Sequence, residues 1–365
     1  MTLELDTDRA ARRDALADQV FRSVIGAQET IHIYLGHKLN LYRALATVDN
    51  ATGAELADRA GISPRYAREW LEQQAVAGLL DVAEDTGDAA SRRFQLPPGG
   101  AEVLCDPESL YYVAPLTGLV QGIAEAVPEV LTAFRTGGGV PYAAYGTDLR
   151  EGIADVNRPA FSHLVGDWVA GLPDIDARLL ATDPPGRIAD LGCGSGWSTI
   201  ALARAYPGAQ VDGVDLDEAS VADARRNAAA AGLTERVSFS NEDAADARTS
   251  RYDLVTFFET LHDMAYPVDA LRAAYHMLAP GGAVLIGDEK VAERFTAPGD
   301  EMERFHYGWS AIHCLAAALA EPDSAATGTA MRPDTVRRYA AAAGFSSVTV
   351  LPIEYDFWRF YRLDP

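Results

Sequence analysis

The sequence predicts an α/β protein, with a doubly wound, mainly parallel sheet in its back half and a mainly helical front. Three observations carry this. Strand-like and helix-like runs alternate from Arg187 onward; the first of these strands breaks into a turn with glycine at every second position, Gly192, Gly194 and Gly196; and residues from about 10 to 48 carry helical apolar spacing, followed by two short capped helices and a hairpin.

At the front, Leu16, Val20, Val24, Ile25, Ile31, Ile33, Tyr34, Leu41 and Leu45 recur at helical intervals and offer more apolar surface than one small domain needs, so a partner chain is expected to cover the surplus. Thr52 caps a helix that ends at Gly61, and Ser63-Pro64 opens the next, from Arg65 to Ala77, with proline at the tolerated first position. Gly78 to Val82 then leads into a polar hairpin around Asp85 to Asp88 that returns through Arg93 to Leu96. This is a winged-helix pattern over residues 1–100. A helical stretch over 101–180 follows, rich in aromatic residues (Tyr111, Tyr112, Tyr142, Tyr145, Phe161, Trp168) and interrupted at Gly137-Gly138-Gly139. Residues 181–365 form the sheet domain, with a long insertion around 290–335.

In that domain the expected strands are Arg187 to Leu191, Ala209 to Asp217, Val237 to Ala244, Tyr252 to Phe258, a Pro-Gly-Gly turn into a fifth over Leu278 to Ile286 that ends through Gly287 to Lys290, Ser346 to Leu351 and Phe357 to Tyr361. The alternate glycines at the first strand-to-helix turn let backbone approach a ligand with no Cβ in the way. The dinucleotide fingerprint G-x-G-x-x-G/A does not fit, because Trp197 stands where it needs Gly or Ala, and no Lys-Ser/Thr follows to make a P-loop. Asp215 stands nineteen residues beyond Gly196, at the carboxyl end of the second strand, where an acidic side chain accepts hydrogen bonds from ribose hydroxyls.

The D-x-G-x-G-x-G run from Asp190 to Gly196 resembles motif I of class I S-adenosylmethionine (SAM) methyltransferases, and the resemblance continues in order through the last half of the chain. With its winged-helix front, the chain is similar to bacterial and plant small-molecule O-methyltransferases. The resemblance implies a Rossmann-like, seven-stranded SAM-binding sheet, a front domain that dimerises and helps wall the substrate pocket, SAM as cofactor and S-adenosylhomocysteine as product. It further implies that Gly192, Gly194 and Gly196 line the methionyl and ribose part, that Asp190 closes the loop, that Asp215 with Leu216 holds the ribose side, and that Asp243 with Ala244 holds adenine. Phe258 to Met264 follows the fourth strand, and the family's His-Asp-Trp motif makes His262 the general base; Met264 departs from that motif. Glu289 is expected to orient His262 or polarise a substrate. The insertion is read as a substrate-facing lid carrying His306, Trp309 and His313, and with Phe161 and Trp168 from the aromatic-rich helical stretch these are the candidate substrate residues. The acceptor is then a small metabolite, with an aromatic or polyketide-like hydroxyl as the methylated group.

Two other readings stand beside this one. His262, Asp263 and His313 are the residue types of a two-histidine, one-carboxylate metal site, and some similar C-methyltransferases of α-keto acids use such a set. A non-methylating SAM-binding regulator that uses the winged helix for recognition is the other.

Charge weighs against nucleic acid and membrane surfaces. The chain holds 31 Lys+Arg against 53 Asp+Glu, a net charge of −22, which repels phosphate backbones and anionic lipid. Three scattered cysteines (Cys105, Cys193, Cys314), an acidic rather than basic Met1 to Asp6, and the lack of any run of eighteen apolar residues lead to an expected cytoplasmic location.

Overall fold

The structure, a computed structural model, describes residues 2–246 and 251–365, with side chains from Asp8 onward; the start Met1 to Asp6, used above for targeting, lies outside the described side chains. The chain divides into two compact units, Met1–Gln121 with Glu151–Val156, and Gly122–Arg150 with Asn157–Pro365. The two long helices of the 101–180 segment, Leu116–Thr136 and Gly146–Ala170, are each divided between the units.

In the first unit the apolar spacing forms one helix, Thr2–Lys38, and a short one, Leu41–Ala46, broken at Asn40, which adopts a left-handed φ of 56°. Gly36 lies where a Cβ would come within 2.5 Å of the Trp70 and Tyr42 rings, so glycine permits the long helix to approach the next layer. Helix Gly53–Ala60 begins with a reciprocal cap between Thr52 and Glu55 and stops at Gly61 in the left-handed region. Ser63 is extended as a cap residue should be, yet its side chain makes no cap bond before helix Pro64–Val76. Strands β1 (Asp81–Glu84) and β2 (Arg93–Gln95) pair antiparallel as the expected hairpin.

The second unit carries the sheet: β3 (Arg187–Leu191), β4 (Gln210–Asp215), β5 (Val237–Asn241), β6 (Tyr252–Phe258), β7 (Leu278–Glu289), β8 (Ser347–Val350) and β9 (Trp358–Asp364), in the order β5-β4-β3-β6-β7-β9-β8. The first five of these are parallel and β9 pairs antiparallel with β7 and β8. Period-two alternation splits the core. Ile188, Leu254 and Leu285 face one layer with Phe161, Trp168 and Trp358; their neighbours Ala189, Val255 and Ile286 face the other with Leu271, Met277 and Val336. Because β4 and β6 leave β3 on opposite sides, the carboxyl ends of these strands frame a crevice at the switch in winding. Strand β7 ends at Glu289, inside the expected Gly287 to Lys290 end, and its alternation sets the side-chain directions at the site.

Candidate active site

The turn after β3 is built from glycines with three different constraints. Gly192, Gly194 and Gly196 all have positive φ (74°, 50° and 80°). A Cβ on Gly192 would fall 2.1 Å from Thr260 Oγ1, and one on Gly196 would fall 2.8 Å from Ala224 and Phe239, whereas one on Gly194 would meet nothing within 4 Å. The outer glycines are thus fixed by packing and the middle one opens onto free space. Asp190 is buried beneath the turn and accepts from Ser198 Oγ (2.6 Å), Thr199 Oγ1 (2.6 Å) and Thr256 Oγ1 (2.8 Å). Its work is to tie the turn to the following helix and to β6.

Asp215 closes the other side of this cradle. Its carboxylate accepts from the N–H of Gly194 (2.7 Å) and of Asp217 (2.9 Å). Burial pushes its pKa up to about 6 despite those two donors. Leu216, 67% exposed, presents an apolar face beside it. Asn241 holds the two in place by donating to the carbonyls of Asp215 (3.1 Å) and Leu216 (2.8 Å). Asp243 and Ala244 lie in the loop just past β5, which ends at Asn241 rather than Ala244; Asp243 Oδ1 accepts from Ala245 N–H at 2.8 Å, and Ala244 packs on the core. Burial raises the Tyr142 pKa, with the charges of Asp215 and Asp263 adding to the rise, and its ring lies 5.9 Å from that of His313.

A second cluster sits after β6. His262 is buried, with Nδ1 2.7 Å from Asp288 Oδ1 and Nε2 3.2 Å from Asp263 Oδ1. Burial alone would depress its pKa, but the neighbouring carboxylates outweigh burial and raise it well above the ordinary value. The expected partner Glu289 does not orient His262. Successive strand residues point to opposite faces, and once β7 continues through this point it is Asp288, on the side of Val284 and Ile286, that reaches the ring. Glu289 points the other way, with Oε2 3.2 Å from Nδ1 of His306 in poor alignment. Glu259, in the left-handed region at φ 52°, donates its N–H to Gly287 O (2.8 Å), and its carboxylate accepts from Asn157 Nδ2.

The other expected residues divide. His306 lies on helix Glu301–Ile312, wholly buried, with neither ring nitrogen hydrogen-bonded. Trp309 stacks edge-on against Phe305 at 5.3 Å. His313 stands edge-on to Tyr145 at 4.7 Å with Nε2 unpartnered. Phe161 and Trp168 are buried in the core, packed against Phe258 and Trp358 at 5.4–5.9 Å. The metal-type set also changes: the ligand atoms that lie within 4.8 Å of one another belong to His262, Asp263 and Cys314, with Cys314 in the place expected for His313. Asn157, Asp288, Glu259, Asn241, Tyr142 and Cys314 were not foreseen. Only Asp288 had a signal, the alternation 284/286/288 along an apolar strand.

Residues 183–327 match the family described as "Methyltransferase domain", and residues 27–106 match "Rv2258c-like winged HTH domain". The chain thus carries a methyltransferase domain behind a winged helix-turn-helix domain. Over 99 residues (27% of this chain, 42% of the relative) it is 36% identical to ubiquinone biosynthesis O-methyltransferase of Pseudomonas savastanoi pv. phaseolicola. Over 137 residues (35% and 49%) it is 36% identical to trans-aconitate 2-methyltransferase of Streptomyces avermitilis. The chain spans less than half the length of these curated relatives. Among solved structures it is similar to mitomycin 7-O-methyltransferase MmcR (TM-score 0.70, 19% identity, 97% of this chain and 99% of that one). It is also similar to human N-acetylserotonin methyltransferase in complex with SAM (TM-score 0.70, 17%, 95% and 97%). At these identities the likeness is one of fold.

Proposed function

We propose that this chain is a SAM-dependent methyltransferase that moves a methyl group to a small-molecule metabolite, at an aromatic or polyketide-like hydroxyl. The observation that carries the reading is the cradle at the switch in winding: a glycine whose missing Cβ opens onto free space, an elevated carboxylate beside it, and an exposed leucine at the rim. These residues suit a nucleoside: Asp215 would take the ribose hydroxyls, Leu216 and the Asp243-Ala244 loop the base, and Gly192 to Gly196 the methionyl side. SAM, when bound, supplies an electrophilic methyl on a sulfonium.

The residues around His262 then have to position the acceptor and take its proton. Asp288 fixes Nδ1, so in the neutral ring Nε2 is the acceptor, and it stands beside Oδ1 of Asp263 as the second atom to which a hydroxyl can donate. The base is accordingly the His262–Asp263 pair, with Asp288 as its positioning residue. His262→Ala is expected to bind S-adenosylhomocysteine like the parent while turnover falls by at least about a hundredfold, the usual share of one acid–base group. Full-rate methylation by that variant would remove the role.

A second reading is favoured by the closeness of His262, Asp263 and Cys314, with Asp288 placed as the outer carboxylate that metal-bound histidines use. Elemental analysis of protein purified without chelator tests it: a stoichiometric first-row metal, lost in Cys314→Ala, supports a metal-assisted reaction, and metal-free active protein excludes it.

The front domain is proposed as a dimerisation element without nucleic-acid affinity. Arg65 is paired with Glu69 on helix Pro64–Val76, and Glu72 takes Arg92 at 2.8 Å, so these cations are matched within the chain instead of facing phosphate.

A further inference from the structure

Two carboxyl groups stand at the adjoining ends of β6 and β7. Glu289 is 6% exposed at the end of β7, and Glu259, half-buried in a left-handed turn, donates its N–H to the carbonyl of Gly287, two residues before Glu289. Burial raises both pKa values, and Glu289 is lifted further by Glu259, the response of two like charges held together. The nearby His262 is already taken by Asp263 and Asp288, and the Lys290 ammonium donates to the Tyr355 carbonyl (3.0 Å). Asn157 gives Glu259 a single neutral donor. His306, 0% exposed and 3.2 Å from Glu289, has both ring nitrogens without a hydrogen bond. A buried polar ring left unsatisfied next to unbalanced carboxyls is costly unless something arrives to complete it.

We propose that Glu259, Glu289 and His306, with Asn157, form a subsite for a protonated amino group on the methyl acceptor. An ammonium carries three donors and one positive charge; two carboxylates and one imidazole nitrogen supply three acceptors and the countercharge. A hydroxyl in the same place brings one donor and no charge. Rings stand beside the subsite: Phe305 is 5.5 Å from His306, Phe357 lies 6.3 Å from Phe305, and Tyr355 lies 6.0 Å from Phe357. Burial raises the pKa of Tyr355, and the charges of Glu259 and Glu289 add to the rise. Aromatic faces near a cation add to its binding. The acceptor class that follows is an aromatic metabolite bearing a basic amine. This rests on the methyltransferase reading only in taking the occupant to be the acceptor.

The test uses the full chain saturated with S-adenosylhomocysteine, so that the cofactor's own ammonium is accounted for. Phenethylamine, tyramine and tryptamine are titrated by calorimetry beside their neutral counterparts phenethyl alcohol, tyrosol and tryptophol. At least one amine is expected to bind about tenfold or more tightly than its alcohol. Glu289→Gln and, separately, Glu259→Gln should bring each pair to within about twofold while S-adenosylhomocysteine affinity stays at the parent value. Equal binding of amine and alcohol, no binding of any amine, or a preference that survives both substitutions would overturn the subsite. Failure of S-adenosylhomocysteine to bind the parent protein would instead strike the cofactor reading.

Discussion

At the scale of single residues, Asp215 links geometry to a measurable pH dependence. Its pKa near 6 means that the folded chain holds the proton at a pH where an ordinary aspartate has lost it. A ligand whose ribose hydroxyls donate to the carboxylate competes with that proton, so affinity is full above the raised pKa and falls as pH drops through it. S-adenosylhomocysteine should bind about tenfold more weakly at pH ~5 than at pH ~7, and Asp215→Asn should bind weakly with a flat profile. A profile equally steep in the variant would assign the dependence to another group. Asp215 was legible from its place at a strand end; its neighbour Asn241, which grips the same backbone, carried no motif. The parity at the end of β7 shows what one residue costs. The carboxylate expected at Glu289 stands at Asp288, because a strand that runs on to Glu289 sends adjacent side chains to opposite faces.

At the scale of elements, the turn after β3 and the turn after β6 are locked together where Gly192 meets Thr260. This contact ties the cradle to the segment that carries His262. Gly192→Ala adds positive-φ strain and an overlap with the Thr260 side chain, an expected loss of about 2–4 kcal/mol, seen as a marked drop in melting temperature. Gly194→Ala adds only the conformational cost of about 1 kcal/mol, so the protein should remain folded while S-adenosylhomocysteine binding weakens, because the new methyl enters the open space. Equal destabilisation by the two substitutions would show that the middle glycine is also fixed by packing. All seven strands of the sheet were readable from alternation and turn residues, since buried parallel strands and glycine breaks are local signals. The fate of Phe161 and Trp168 was not, because an aromatic residue on a helix has the same periodicity whether it meets a ligand or Trp358.

At the scale of the whole molecule, two facts concern association. The long first helix leaves Leu16, Val20, Phe21 and Val24 between 51% and 66% exposed along one stretch, a surface that soluble monomers seldom present. The chain is therefore expected to be a homodimer, and Phe21→Glu with Val24→Glu should give a monomer by sedimentation or light scattering; a parent chain that is already monomeric at micromolar concentration would contradict this. Among the described residues no helix is long and apolar enough to cross a membrane. The surplus apolar stripe was visible in the sequence, whereas the division of the middle helices between two units depends on long-range packing and was not. The central claim is that the glycine turn and Asp215 hold a nucleoside sulfonium, and calorimetric titration of the full chain with S-adenosylhomocysteine tests it most directly. The expected result is stoichiometric, saturable binding that weakens at least about tenfold in Asp215→Ala. No binding to the parent protein, or binding unchanged by the substitution, would contradict it.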